Sequence, residues 1–241
     1  MSLPASPSGW IILDKPVGLG STQGVAAVKR NLRQAGFGKT VKVGHGGTLD
    51  PLATGVLPIA VGEATKLCGR MLDAAKIYDF TVAFGTETDT LDLEGKAIAT
   101  SDVRPALSAL EAVLPRFTGP IEQVPPAYSA LMVDGDRAYD LARAGQDVTL
   151  PSRPVTIHAL AVLGVEGEGG ALSAATLRAH VSKGTYIRSL AQDIGVLLGT
   201  GAYLSSLCRT RIGAFTLEGA LTMEEAQKLI NENLDGIKTD N

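Results

Sequence analysis

Only two cysteines, Cys68 and Cys208, occur in the 241 residues, which excludes a disulfide framework and fits a reducing compartment. Histidine is as scarce: His45, His158 and His180 stand far apart, without metal-ligand spacing, so no metal is expected. No apolar run approaches the roughly 20 residues of a membrane-spanning helix. Met1 to Pro7 has no basic region leading into an apolar stretch and no arginine, which predicts neither a signal nor a transit peptide. A cytoplasmic location and no membrane partner follow as expectations. A Gly-Lys-Ser/Thr phosphate loop and a G-x-G-x-x-G dinucleotide fingerprint are also missing.

What remains is the composition of an ordinary globular protein, 45% hydrophobic and 20% charged, long enough for a sizeable core. The net charge of −3 argues at first against a nucleic-acid partner, but the charges are segregated. Lys15, Lys29, Arg30, Arg33, Lys39 and Lys42 precede Leu49 with no acid among them, and Arg178, Lys183, Arg188, Arg209 and Arg211 face only Asp193 between Gly169 and Leu217. The acids gather at Glu87–Asp102, at Asp134–Asp147 and from Glu218 onward. Such segregation permits a phosphate-binding face on an acidic protein, although a solvated surface explains it equally well.

Along the chain, Trp10–Leu13, Val41–Val43, Val56–Val61, Tyr78–Phe84, Pro154–Val165, Ala171–Val181 and Tyr203–Thr210 read as strands. Helices are predicted after Ser21 or Thr22 as cap (Val25, Val28 and Leu32 at helical spacing), over Glu63–Met71, Leu107–Leu114, Arg137–Ala144, Ser189–Leu198 and Met223–Ile230. Glu166–Gly170 is a hairpin turn. Strands and helices mix without a βαβ repeat, so the fold class is α+β, with a mixed, largely antiparallel sheet flanked by helices.

Gly44-His45-Gly46-Gly47-Thr48-Leu49-Asp50-Pro51 is the segment richest in chemistry. Its glycines allow close backbone approach and Pro51 stiffens the residue before it. An aspartate held there serves as nucleophile, as general base, or as a turn residue making an Asx hydrogen bond, and physics alone favours the turn.

The stretch GHGGTLDPLATGVLPIAVGEATKL (44–67) resembles the signature of the TruB family of tRNA pseudouridine synthases. Further family-like segments follow in order: Asp14–Gly18, Lys76-Ile77-Tyr78, Gly85–Asp92, Pro125–Leu131, Ser182–Arg188 and Gly201–Arg211. Together they span residues 9 to about 215, and several motifs in order are far more specific than any one. The resemblance implies the pseudouridine synthase fold and a cofactor-free isomerase acting on the T stem-loop of tRNA, at position 55 in tRNA convention. It expects a monomer with no obligatory protein partner.

In that reading Asp50 is the nucleophile, attacking either the base or the ribose C1′. The bond to N1 breaks, the uracil turns, and C5 rejoins the sugar. Tyr78 would stack on the uracil and assist loss of the C5 proton. Arg188 would pair with Asp50 and favour its carboxylate form. Tyr186 and Leu207 would line the pocket, Lys15 would support it, and His45 would meet the RNA loop as the target base leaves the stack. Asp89 and Asp92 would brace a loop, and His158 and His180 read as structural.

The segment Val17–Thr22 carries glycine where the family usually has threonine, which changes local RNA contacts. Many bacterial members continue into a small RNA-binding PUA domain. Here the expectation is a catalytic domain over 1–222, a short helix and acidic tail over 223–241, and no complete PUA domain. Two rivals stand beside the isomerase. The first is a non-catalytic RNA-binding or tRNA-folding protein on the same scaffold. The second is a glycosidic hydrolase, a class that usually wants paired carboxylates or a metal.

Overall fold

The computed structural model describes residues 7–133 and 135–238, the last six as helix backbone. The segment read for a leader (1–6), Asp134 of the second acidic cluster and the end of the acidic tail (239–241) lie outside the described residues. In chain order come β1 (Gly9–Lys15), α1 (Ser21–Gln34), β2 (Val43–His45), β3 (Thr54–Val61), α2 (Cys68–Asp73), β4 (Lys76–Phe84), β5 (Thr86–Thr88) and β6 (Ala97–Thr100). Then follow α3 (Leu107–Val113), β7 (Gly119–Gln123), β8 (Met132–Val133), β9 (Asp136–Arg137), α4 (Ala138–Arg143), β10 (Arg153–Glu168) and β11 (Ala171–Val181). The chain closes with α5 (Ile187–Leu197), β12 (Ala202–Ile212), β13 (Phe215–Thr216) and α6 (Met223–Lys238). It divides into two compact units, one built from residues up to Lys76 and from Cys208 onward, the other from Ile77–Leu207.

In the first unit β3 is the central strand. It pairs antiparallel with β1 from Gly9↔Val61 to Lys15↔Gly55. Its other edge takes β2 antiparallel and the end of β12 in parallel, Cys208↔Thr54 and Arg209↔Gly55. Seven of its eight residues are buried, which is why Val56–Val61 reads as a continuous apolar run instead of an alternation. Helix α1 buries Gly24, Ala27, Val28, Asn31 and Leu32 on one stripe. A Cβ at Gly24 would stand 3.3 Å from Leu57 and 3.7 Å from Leu13, so the missing side chain lets the helix sit close on the β1–β3 layer. Its N-cap is Gly20, whose N–H donates to Gln23 Oε1 at 2.8 Å, and not Ser21 or Thr22 as expected. The Ser21 hydroxyl is committed elsewhere, as shown below. Strand β2 lies two residues later than expected.

In the second unit β4 alternates buried and half-exposed residues without a break, the period-2 pattern of a strand with one buried face. Neighbouring strands run β12–β4–β11–β10–β7, with β10–β11 and β10–β7 antiparallel. The β10–β11 turn places Gly169 and Gly170 at φ 59° and 84°, a backbone that glycine adopts without strain. Phe80, Val82, Ile157, Leu177, Leu190 and Ile194 form its core. Helix α5 turns Leu190, Ala191 and Ile194 inward, and a Cβ at Gly195 would stand 2.4 Å from that of Ala202.

Candidate active site

Asp50 sits in the loop between β2 and β3, and nearly every neighbour of it is fixed by a hydrogen bond. Gly46 N–H donates to the Pro58 carbonyl at 2.9 Å, and a Cβ there would lie 2.6 Å from Met71, so this glycine is required by packing. The Ser21 hydroxyl donates to the Leu49 carbonyl (2.9 Å) and accepts from its N–H (2.8 Å). The Pro51 carbonyl accepts from Gly18 N–H at 2.8 Å and from Lys15 Nζ at 3.1 Å. The Asp50 carbonyl accepts from Ala53 N–H at 3.1 Å. The Asp50 side chain is half-buried.

Two buried cations hold this loop. Lys15, 0% exposed, donates to the Pro16, Leu19 and Pro51 carbonyls at 3.0, 2.7 and 3.1 Å. Burial pushes its ammonium below the usual lysine range. The Asp50 carboxylate acts the other way, and the Arg209 guanidinium adds to the lowering. Arg209, 1% exposed, donates from Nε to Val56 (2.9 Å), from Nη1 to Thr48 (3.2 Å) and from Nη2 to Gly47 (3.0 Å). Arg209 is also the reason for Gly55. At φ 95°, a Cβ there would lie 2.3 Å from the Arg209 carbonyl oxygen.

His45 is half-buried, and its Nδ1 faces Gly47 N–H at 3.4 Å. Burial first, then Arg209, lowers its pKa, which favours the neutral ring. Lys15 also borders an open cavity of about 400 Å³ with Asp14, Thr54, Cys208 and Met223. Neither Asp50 nor His45 lines it.

The second unit carries Tyr78, Tyr186, Arg188 and Leu207. Tyr78 is buried on β4. Tyr186 is the N-cap of α5 and Arg188 lies in its first turn. Arg188 is 6% exposed; its Nη1 donates to the Thr90 carbonyl at 3.2 Å, and Nε lies 3.7 Å from the Asp92 carboxylate. Asp92 in turn accepts from Glu94 N–H at 3.0 Å, and Asp89 accepts from Lys96 N–H at 2.9 Å, so both acids brace the turn between β5 and β6. Leu207 is half-buried on β12. His158 and His180 pack together across β10 and β11 with ring centroids 4.8 Å apart and planes tilted by 48°. No cluster of three or more metal-ligating side chains occurs among the described residues.

Lys15, His45 and Asp50 lie around one loop of the first unit. No role was expected of Arg209, which belongs to a basic stretch and to the family-like segment Gly201–Arg211, and Asp92, expected only to brace a loop, is the carboxylate beside Arg188. The signal for Arg209 was weak but present: an arginine in a strand at the register of a buried neighbour needs an internal partner.

Residues 33–187 match the family model described as TruB family pseudouridylate synthase (N terminal domain). Residues 188–237 match the tRNA pseudouridylate synthase B C-terminal domain. The tRNA pseudouridine synthase B of Novosphingobium aromaticivorans is 69% identical over 221 residues, 92% of this chain and 72% of the relative. That of Zymomonas mobilis is 53% identical over 233 residues, 95% of this chain and 75% of the relative. Among solved structures, a Cbf5-Nop10-Gar1 complex contains a chain 32% identical with a TM-score of 0.71, covering 95% of this chain. An H/ACA RNP bound to a substrate RNA containing 2'-deoxyuridine contains one 30% identical with a TM-score of 0.67. This chain spans 56% and 55% of those two.

Proposed function

Because this chain belongs to the TruB family of pseudouridylate synthases, we propose that it converts the T-loop uridine of tRNA, position 55 in tRNA convention, to pseudouridine with Asp50 as nucleophile. The relatives named tRNA pseudouridine synthase B support tRNA as the substrate class. The observation that carries the assignment to Asp50 is the loop itself. Two buried cations and a buried serine spend their hydrogen bonds on the backbone around this one half-exposed carboxylate. Preorganisation of that kind suits a group that must meet its target in one geometry.

The isomerisation balances without a co-reactant. The C1′–N1 bond breaks, a C1′–C5 bond forms, C5 loses a proton and N1 gains one. Asp50 forms and releases a covalent bond to the substrate. Tyr78 stacks on the uracil and assists proton loss at C5. Arg188 has the role of favouring the carboxylate form of Asp50, Tyr186 and Leu207 that of lining the uracil site, and Lys15 holds the loop. His45, whose neutral form burial favours, meets the displaced RNA loop. The reaction needs no cofactor or metal, and the protein acts as a monomer in the cytoplasm. Its catalytic domain covers residues 1–222.

The test uses an unmodified T stem-loop, with pseudouridine mapped by carbodiimide-blocked primer extension. Wild type is expected to stop extension at the T-loop uridine. Asp50→Asn should bind the RNA and leave it unmodified. Product from Asp50→Asn refutes the nucleophile, free uracil from wild type points to a hydrolase, and binding without product by wild type points to a non-catalytic RNA-binding protein.

A further inference from the structure

We propose that Gln123 and Arg153 are positioning residues for the turn that carries Tyr186 and Arg188, setting the rate of the chemical step; the proposal rests on the function given above. The two are direct register partners on β7 and β10. Both reach the same short segment, Gly184–Ser189.

Gln123 is 2% exposed and grips one residue twice. Its Oε1 accepts from Tyr186 N–H at 2.8 Å and its Nε2 donates to the Tyr186 carbonyl at 3.0 Å. A side-chain amide here imitates a strand partner, fixing both peptide groups of the residue that starts α5. The next residue adds a third hold, since the Val124 carbonyl accepts from the Ser189 hydroxyl at 2.8 Å. Consecutive residues of one strand end therefore pin Tyr186 and Ser189, the two residues that bracket Ile187 and Arg188.

Arg153 completes the clasp. Its Nη2 donates to the Gly184 carbonyl at 3.0 Å, at a glycine with φ 78°, and its guanidinium carbon lies 5.0 Å from the centre of the Tyr186 ring. The Arg153 Nε is buried without a hydrogen-bond partner. A buried unsatisfied donor is uncommon and calls for a reason. Here the guanidinium is held over the aromatic face, where cation–π attraction orients the ring, and not turned to satisfy Nε. Neither side chain is needed to form α5, whose interior is secured by Leu190, Ala191 and Ile194. What they fix is the approach to it, which decides where the Tyr186 ring and the Arg188 guanidinium point.

The experiment compares Gln123→Glu, which keeps the shape and the acceptor but loses the donor, with Arg153→Met and the conservative Arg153→Lys. Each is measured for T stem-loop binding, for single-turnover rate at saturating RNA and for thermal unfolding. Displacing a reacting group by a fraction of an ångström to 1 Å predicts a rate about 10- to 100-fold lower, with the dissociation constant within about threefold of wild type. Arg153→Lys, retaining a cation over the ring, should recover part of the rate lost in Arg153→Met. A wild-type rate in both Gln123→Glu and Arg153→Met overturns the proposal. So does a rate loss that tracks weaker binding or loss of folding in both. If wild type makes no pseudouridine, the functional reading falls and this one with it, an outcome distinct from active wild type with unaffected variants.

Discussion

Replacing Arg209 with methionine removes the guanidinium and keeps the stem, leaving the carbonyls of Gly47, Thr48 and Val56 without the donors that now meet them at 3.0, 3.2 and 2.9 Å. Hydrogen bonds from a charged donor are worth about 1.5–3 kcal/mol each. The variant no longer buries a charge, and that desolvation, several kcal/mol per ion, offsets much of the loss. The net expectation is destabilisation by about 2–4 kcal/mol, between those two terms. The chain's single tryptophan, Trp10, stacks near Phe215 in the same unit with ring centroids 5.5 Å apart, so its fluorescence follows the unfolding of that unit. With a urea slope of about 2–3 kcal/mol/M, the midpoint should fall by about 1 M. Arg209→Lys, offering a charge but not the fork, should lie between wild type and methionine. Modification of a T stem-loop at saturating RNA should slow as the loop around Asp50 loosens. A midpoint within about 0.2 M of wild type, with an unchanged rate, refutes the idea that this buried cation holds the loop.

Gly55→Ala sets a Cβ against the Arg209 carbonyl at a φ of 95°. It should cost about 3 kcal/mol or more, and a urea midpoint equal to that of wild type would contradict the close approach. Asp193, pushed up to about 6 by burial, binds its proton more tightly in the folded state than in the unfolded one. It therefore loses stability as pH rises from about 4 to 6. Asp193→Asn should gain about 1–2 kcal/mol at pH 8, after discount for solvent access, and nothing below pH 4; a gain that does not depend on pH sinks the explanation. Asp92→Asn keeps an acceptor for Glu94 N–H while removing the charge 3.7 Å from Arg188. Single-turnover rate should fall about tenfold with RNA binding retained, and an unchanged rate means that Asp92 only braces its turn.

Strand β4 was legible because Tyr78, Phe80, Val82 and Phe84 alternate with smaller or polar residues, and the β10–β11 turn because five successive glycine and glutamate positions interrupt two apolar runs. Strand β6 was not: all four residues of Ala97–Thr100 are exposed, so no burial period exists to read. Strand β7, Gly119-Pro120-Ile121-Glu122-Gln123, opens on two residues that normally argue against a strand. Asp50 was singled out by its family-like surroundings, since its own loop looked like a turn. Arg209 and Gln123 escaped for one shared reason. Their partners are backbone groups, which every residue presents alike, so only the fold reveals which carbonyl or N–H they meet.

The clamp on the Asp50 loop also has an order in time. Arg209 follows Gly47 and Thr48 by 162 and 161 residues, while the unit between them is continuous from Ile77 to Leu207. At about 5–20 residues per second the arginine is made about 8–30 s after Gly47 and Thr48, with the whole of the middle unit synthesised in between. Contacts of such long sequence separation form late and slowly. The Asp50 loop thus belongs to the last part of the molecule to mature, and a nascent chain short of residue 209 carries it without its second cation. Translation itself then keeps the Asp50 loop from being held by both cations until residue 209 has been made.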